Sequence, residues 1–290
     1  MMSPFIRILR PEQWIKNGFV LAPLIFAEKM FDTRSLFLSL AAFFVFCVAS
    51  SGAYVFNDVF DREKDRVHPV KKYRPVASGE VGSQVASLIG SGLFTAGILG
   101  SFFIGNAFLW TIIGYLSLQL AYNAVLRQVV ILDILTIAIG FVLRAFAGSV
   151  AIDVRISPWL ILCTLLVALF LGFAKRRQEI VLLGDTAYRH RKILREYSLP
   201  FLDQLIGIVT AATIVSYAIY TLSPEVTARF GSPSMILTLP FVIYGMFRYL
   251  YLVHLREGGG SPSRDLLSDG PLLLCVLLWG VVSVGMIYWF

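Results

Sequence analysis

The densest group of acidic side chains lies at residues 57–66, where NDVFDREKDR follows an uncharged apolar run. Asn57, Asp61 and Asp65 are spaced at intervals of four residues and Asp58 adjoins them, so a continuous helix would place all four on one face. Carboxylates packed this closely repel one another unless a cation lies between them, and hard oxygen ligands suit Mg²⁺, which bridges to substrate phosphates. The pattern predicts a Mg²⁺ site. The alternative is a solvated helix end whose acids pair with neighbouring basic residues.

Two basic segments accompany these acids. The first, HPVKKYRPVASG at residues 68–79, follows the acids directly, and the second, KRRQE at residues 175–179, comes about a hundred residues later in the chain. A divalent cation together with lysine and arginine side chains is typical of a site for a diphosphate or a phosphate ester. Each segment also has an alternative interpretation, as a loop that attracts anionic lipid head groups or as a cytoplasmic anchor of a membrane span.

The composition is typical of a membrane protein, in which these charged segments are expected to lie at the edge of the bilayer. Of the 290 residues, 57% are apolar and 15% are charged, and the net charge is +7; the mean hydropathy is +0.76. Soluble domains are nearer 45–50% apolar and 25% charged. A soluble globule is therefore excluded, and so is a disordered chain, because disordered segments are polar and poor in aromatic residues.

The apolar runs predict about nine transmembrane helices. A helix needs roughly 20 residues to cross the hydrocarbon core of a bilayer. The uncharged stretch from Val81 to Leu126 is about twice as long as this and must turn back, and Gly105-Asn106 is the predicted turn. We expect an all-α, polytopic helical bundle that forms a single domain over residues 1–290 and surrounds a cytoplasm-facing cleft. The predicted spans lie near 13–27, 35–57, 82–104, 107–124, 129–152, 157–174, 202–222, 234–254 and 271–290.

Charge asymmetry orients the predicted bundle. Basic residues are concentrated before the first span and in the loops after the second, fourth, sixth and eighth spans. The positive-inside rule therefore predicts a cytoplasmic N-terminus and places the acidic residues on the cytoplasmic face of the plasma membrane. Arg144 falls near the middle of the fifth span and needs a partner there, so both a structural and a functional role are open.

The motifs resemble those of a known family. NDxxDxxxD after the second span, in a chain with about nine spans, is similar to the UbiA superfamily of intramembrane prenyltransferases. Within it, the chain most resembles the branch of decaprenyl-phosphate phosphoribosyltransferases. That likeness lies in RPEQWIKN (10–17), NDVFDREKDRVHPVKKYRPVASG (57–79), LDILTIAIGFVLRAFAG (132–148), AKRRQE (174–179) and GGGSPSRDLLSDGPL (258–272).

The resemblance implies an Mg²⁺-dependent enzyme that transfers 5-phosphoribosyl from phosphoribosyl diphosphate (PRPP) to a polyprenyl phosphate and releases diphosphate. It also implies a membrane-embedded homo-oligomer, and no nucleic-acid partner is expected. The expected roles fall into three groups. Asp58, Asp61 and Asp65 are catalytic and, with Asn57, hold the metal; Lys16, Tyr122, Lys175, Arg176 and Arg177 bind the donor; Arg66, Lys71 and Arg74 bind the lipid phosphate.

Two alternatives remain at this stage. Family members that prenylate aromatic rings carry a second acidic motif, DxxxD, after the sixth span, whereas this chain has KRRQE there, with Glu179 and Asp185 as the nearby acids. This departure disfavours an aromatic acceptor, but a prenyltransferase with an isoprenyl diphosphate donor is still the enzymatic alternative. A transporter of a phosphorylated lipid is less well supported, because it would need charges distributed through the bilayer.

Overall fold

The computed structural model describes residues 3–184, 192–224, 226–227, 233–256 and 258–289. Within these ranges all regular elements are helices, which confirms the predicted all-α class. The α-helices are α1 (Pro4–Arg7), α2 (Ala22–Phe26), α3 (Thr33–Phe60), α4 (Arg62–Arg66), α5 (Pro75–Ser78), α6 (Ser83–Ile104), α7 (Asn106–Ala124), α8 (Leu132–Ala151), α9 (Pro158–Leu183), α10 (Leu199–Leu222), α11 (Leu239–Leu255), α12 (Pro262–Ser268) and α13 (Gly270–Trp289). Five 3₁₀ helices cover Pro11–Leu21, Lys71–Tyr73, Leu126–Gln128, Lys192–Glu196 and Pro233–Thr238.

Seven helical segments in the described ranges are long and apolar enough to cross a membrane: α3, α6, α8, α9, α10, α13 and Met235–Leu255. The predicted count of nine is not confirmed. The first predicted span is a 3₁₀ helix, Pro11–Leu21, that continues into the short α2, and it carries Glu12 and Lys16 among its apolar residues. The fourth corresponds to α7, whose amide side chains dilute its apolar character.

The chain divides into two compact units, of which unit 1 comprises Met1–Thr136 and Gly140–Arg155. Its α3 and α6 pack closely because glycine replaces a side chain at each crossing. A Cβ at Gly97 would lie 3.0 Å from the Cβ of Ala49, and one at Gly52 would lie 2.5 Å from a ring carbon of Phe94. Such close packing of small residues is a common means of joining helices within lipid.

The predicted turn between α6 and α7 is confirmed at Gly105, where the backbone φ is 152°. A glycine adopts this conformation without the steric penalty of a Cβ. Helix α6 ends one residue earlier and α7 begins one residue later, so the long uncharged stretch does fold back on itself.

Unit 2 comprises Ile137–Ile139 and Ile156–Phe290. Helices α9 and α10 pack along each other in it, and Phe170 of α9 contacts the ring of Tyr249 with their centroids 5.3 Å apart. Three polar side chains in its interior are linked by hydrogen bonds: Trp279 Nε1 donates to the Tyr217 hydroxyl at 2.9 Å, and that hydroxyl also hydrogen-bonds Thr238 at 2.7 Å. These contacts fix α10, α13 and the 3₁₀ helix Pro233–Thr238 in one arrangement.

Candidate functional site

The acidic motif of unit 1 occupies the junction between α3 and α4. Helix α3 ends at Phe60, and Asp61 has φ −96° and ψ 4°, so the motif is not the single continuous helix that the spacing assumed. The backbone nevertheless keeps a helical hydrogen-bond pattern, because Asp61 N donates to Asn57 O at 2.9 Å and Asp65 N donates to Asp61 O at 2.8 Å. The change in direction therefore leaves the acids on neighbouring turns.

Asp58 is the most deeply buried acid of this motif, with 2% of its surface exposed. Its Oδ1 accepts hydrogen bonds from Arg10 and, at 3.1 Å, from Arg74 Nη1. Its Oδ2 is buried and has no hydrogen-bond partner in the described structure. Because an unpaired carboxylate oxygen in a buried position is costly, this oxygen is available for a cation.

Arginines from three different segments connect the acids. Arg74 Nη1 also donates to Asp65 Oδ2 at 2.6 Å and so joins Asp58 to Asp65 through a single nitrogen. Arg127, in the 3₁₀ helix after α7, donates to Asp61 Oδ1 at 2.6 Å. All three carboxylates are therefore charge-compensated within unit 1, in a network that is largely shielded from bulk water.

Because the carboxylates pair with arginines, the four predicted ligands do not form a preformed metal site. Within the described ranges, no group of three or more acidic, histidine or cysteine side chains is close enough to hold an ion by itself. Each carboxylate is drawn towards an arginine instead. The donor chemistry still suits Mg²⁺, because the oxygens are hard and Oδ2 of Asp58 is unpaired.

Sequence reasoning missed Arg10 and Arg127 as partners of the acids and expected Arg74 to bind lipid phosphate. Arg10 lies in RPEQWIKN, where its backbone takes a left-handed conformation with φ 52°. Arg127 is the single basic residue between α7 and α8. The sequence did offer one indication that Arg127 has an acidic partner: it is the single charge in an otherwise apolar region, and a lone charge at a membrane boundary usually has a partner.

Lys16 and Arg144 lie in a second polar region of unit 1. Arg144 is 4% exposed and donates from Nε to Asn17 Oδ1 and from Nη2 to the Tyr115 hydroxyl, both at 2.9 Å. Its guanidinium also stacks against Phe46, Tyr115 and Phe141. Among the described residues it forms no ion pair, so this buried cation is solvated by neutral groups that hold the Lys16 segment against α7 and α8.

The other predicted residues of unit 1 lie near its loops. Arg66 is exposed and donates to both carboxylate oxygens of Glu63 at 3.2 Å. Lys71 begins the 3₁₀ helix Lys71–Tyr73, and Tyr122 lies in the last turn of α7; both are half-buried. The structure thus places Arg66 at the surface of unit 1.

In unit 2, the predicted basic residues lie on the last part of α9. Arg176 is 1% exposed and donates to Glu179 Oε2 at 2.9 Å. Arg177 donates to Asp203 Oδ1 at 2.6 Å and to the backbone carbonyl of Val253 at 3.3 Å. Lys175 is half-buried on the same helix. Asp185, the second acid noted near this motif, lies outside the described residues.

Comparisons with known proteins agree with this architecture. The UbiA prenyltransferase family model matches residues 18–268. A decaprenyl-phosphate phosphoribosyltransferase of Corynebacterium glutamicum is 35% identical over 98% of this chain and 86% of its own length. The protein of the same name from Mycolicibacterium smegmatis is 31% identical over 100% of this chain and 94% of its own length.

Solved structures show the same fold. A UbiA homolog from Archaeoglobus fulgidus bound to GPP and Mg²⁺ superposes with a TM-score of 0.72 at 17% identity, covering 98% of this chain and 99% of its own. A digeranylgeranylglyceryl phosphate synthase superposes with a TM-score of 0.66 at 20% identity, covering 98% of each chain. The predicted resemblance is confirmed: the chain is a multi-pass membrane protein and belongs to the UbiA prenyltransferase family.

Proposed function

We propose that this protein transfers 5-phosphoribosyl from PRPP to a polyprenyl phosphate and releases diphosphate. The observation that carries the proposal is the similarity, along nearly the whole chain, to relatives named decaprenyl-phosphate phosphoribosyltransferase. Their name gives the class of acceptor and of transferred group. The buried acid and arginine network of unit 1 supports it, because a diphosphate leaving group needs cations and metal-ligating oxygens together.

The reaction breaks the bond between C1 of the ribose and the diphosphate oxygen, whose electron pair leaves with the diphosphate. An oxygen of the polyprenyl phosphate then forms the new bond to C1. That oxygen is already anionic at neutral pH, so a dedicated general base is not required. The chain must instead stabilise negative charge that develops on the departing group and hold the two phosphorylated substrates in line.

Asn57, Asp58, Asp61 and Asp65 are the proposed ligands of a divalent ion. Mg²⁺ bound there would neutralise the diphosphate as it departs. Arg10 and Arg127 already contact carboxylates of the motif and would exchange them for phosphate oxygens when the donor enters. These two arginines would thus neutralise the acids until the donor binds and then contact its diphosphate.

The remaining roles are also proposals. Lys16, Tyr122, Lys175, Arg176 and Arg177 would contact the donor, while Arg66, Lys71 and Arg74 would contact the lipid phosphate. The same proposal includes a location in the plasma membrane with a cytoplasmic N-terminus and a cytoplasmic site. It also includes a homo-oligomeric state and a single domain over residues 1–290.

A transfer assay tests the proposed function. Purified protein in lipid nanodiscs is mixed with Mg²⁺, polyprenyl phosphate and PRPP labelled at its 5-phosphate, and the organic phase is counted. We expect label in the lipid, and loss of that label with Asp61→Asn or with a chelator. A parallel arm replaces PRPP by a labelled isoprenyl diphosphate. Absence of label from PRPP with the folded wild-type protein would overturn the proposal, and transfer in the parallel arm would establish the prenyltransferase alternative.

A further inference from the structure

Unit 2 contains a polar pocket of about 320 Å³ whose lining residues were given no role in the proposed function. It lies where α11 ends and α12 and α13 begin, next to the glycine-rich segment 258–260. Its wall is made mainly by charged and small polar residues: Arg248, Arg256, Gly258, Asp265, Ser268 and Asp269. A volume of this size accommodates a ligand as large as a phosphorylated pentose.

The glycine-rich segment is built into the wall by close packing. A Cβ at Gly259 would lie 3.2 Å from the Ala174 carbonyl oxygen, and one at Gly260 would lie 3.2 Å from Cγ of Gln178, so the segment packs directly on α9 beside its basic motif. Gly259 has φ 96°, a conformation that favours glycine. Its N–H donates to Asp265 Oδ2 at 2.9 Å, which fastens the segment to α12.

Of the two arginines that line this pocket, one is paired with a carboxylate and the other is not. Arg248 donates to both carboxylate oxygens of Asp269, at 3.1 and 2.8 Å, and is therefore neutralised. Arg256 donates from Nε to the Tyr251 hydroxyl at 3.1 Å and forms no ion pair with any described residue. The ring of Tyr251 contacts both guanidinium groups, at 4.9 and 5.9 Å, and holds them near each other. The terminal nitrogens of Arg256 are available to an anion.

The same pocket offers groups that recognise hydroxyls. Both hydrogen bonds to the Asp265 carboxylate fall on Oδ2, from Gly259 N and from the Tyr249 hydroxyl, and in the described structure Oδ1 has no partner. The hydroxyl of Ser268 makes only a long contact of 3.4 Å to a backbone carbonyl. A carboxylate beside a free arginine is the combination that binds a sugar diol next to a phosphate.

We infer that this pocket binds a phosphorylated sugar, with Arg256 on the phosphate and with Asp265 and Ser268 on the sugar hydroxyls. The inference rests on the proposed function, since a phosphorylated sugar is the class of donor that the proposed reaction uses. The lining distinguishes the donor classes, because an isoprenyl chain has no hydroxyl for Asp265 and would require apolar walls.

Binding of ribose 5-phosphate to the full-length protein in nanodiscs, measured by calorimetry without Mg²⁺, tests the inference. We expect ribose 5-phosphate to bind more tightly than ribose, inorganic phosphate or geranyl phosphate. Arg256→Gln should weaken binding about tenfold, because it removes a charge-assisted contact at an exposed position. Ser268→Ala should weaken it several-fold. Arg264→Gln is the matched control, since Arg264 is exposed on α12 and does not line the pocket.

The outcomes separate this inference from the proposed function. If ribose 5-phosphate binds with the expected variant effects while PRPP is not a donor in the transfer assay, the assignment of the phosphosugar pocket is supported and the proposed transferase function is overturned. If PRPP is a donor but Arg256→Gln and Ser268→Ala bind ribose 5-phosphate as the wild type does, the pocket assignment is overturned. Preferential binding of geranyl phosphate, or an equal effect of Arg264→Gln, would overturn it as well.

Discussion

Replacing Gly148 by alanine should disturb the expected donor-binding segment from a distance. Gly148 lies in α8, and a Cβ at this position would lie 1.9 Å from the Val20 carbonyl oxygen, 2.8 Å from the Val20 carbonyl carbon and 3.1 Å from Cδ of Pro23. The atoms it meets first belong to the backbone, so no side-chain rotation relieves the overlap. The 3₁₀ helix Pro11–Leu21, which carries Lys16, must move instead.

The size of this movement follows from the contact distances. Cβ atoms essentially never approach other heavy atoms closer than 3.0 Å, so a contact of 1.9 Å requires a displacement of about 1.1 Å. Overpacking of this kind costs about 1–3 kcal/mol of stability. A shift of about 1 Å in a substrate-positioning group lowers the rate about 100-fold. We therefore expect a fall in melting temperature together with a fall of about 100-fold in kcat/KM for PRPP.

Gly140→Ala is the matched control on the same helix. A Cβ at Gly140 meets Arg144 Nη1 and Gln119 Nε2 at 3.5 Å, which is ordinary van der Waals contact. This substitution should leave activity within about twofold and stabilise the helix by up to about 1 kcal/mol. Thermal unfolding in nanodiscs and the labelled transfer assay measure both variants. Wild-type stability and activity in Gly148→Ala would refute the assigned packing of the Lys16 segment.

Three further predictions concern charged residues. Hydrogen bonds from Arg248 hold the pKa of Asp269 below its usual value, so this pair stabilises the fold above about pH 4 and the stabilisation is lost as the pH falls through the lowered pKa. Melting temperatures of wild type and Asp269→Asn should therefore converge in acid; a constant difference would contradict this. Arg144→Leu leaves two buried acceptors without their donor and should lower the free energy of unfolding by about 2–4 kcal/mol in a denaturation series, whereas unchanged stability would deny these hydrogen bonds a structural role. Arg195→Ala, at an exposed position, should change stability by less than about 0.5 kcal/mol and leave transfer intact; a lost activity would show that this cation binds substrate.

The helical class and most long helices could be predicted because lipid imposes a simple rule on the sequence. Apolar length alone locates a spanning helix, and Gly105 stands out as the turn within an uncharged stretch. The first span was predicted less well. Its apolar residues fit an α-helix, but the segment is a 3₁₀ helix fixed by tertiary contacts, such as Asn17 Nδ2 donating to Ser50 Oγ at 3.0 Å.

The acidic motif was located by its spacing, yet the arginines that bind it were not. Arg10 and Arg127 are distant from Asp58 and Asp61 along the chain, and no local periodicity links them. Arg74 is close in sequence, but whether it binds an acid or a lipid phosphate depends on the path of the loop that carries it. Such pairings arise from the packing of helices, which a single sequence encodes only indirectly.

Electron paramagnetic resonance of Mn²⁺, used in place of Mg²⁺, tests most directly whether the acids of unit 1 hold a divalent ion on a diphosphate. Titration of the nanodisc-embedded protein with Mn²⁺ and inorganic diphosphate should show a bound ion. Asp61→Asn should abolish it, as it should abolish turnover, while the protein still folds. Glu63→Gln is the control, because Glu63 is exposed and its ion pairs among the described residues are with Arg62 and Arg66 at the surface. Equal Mn²⁺ binding by wild type and Asp61→Asn would contradict the account.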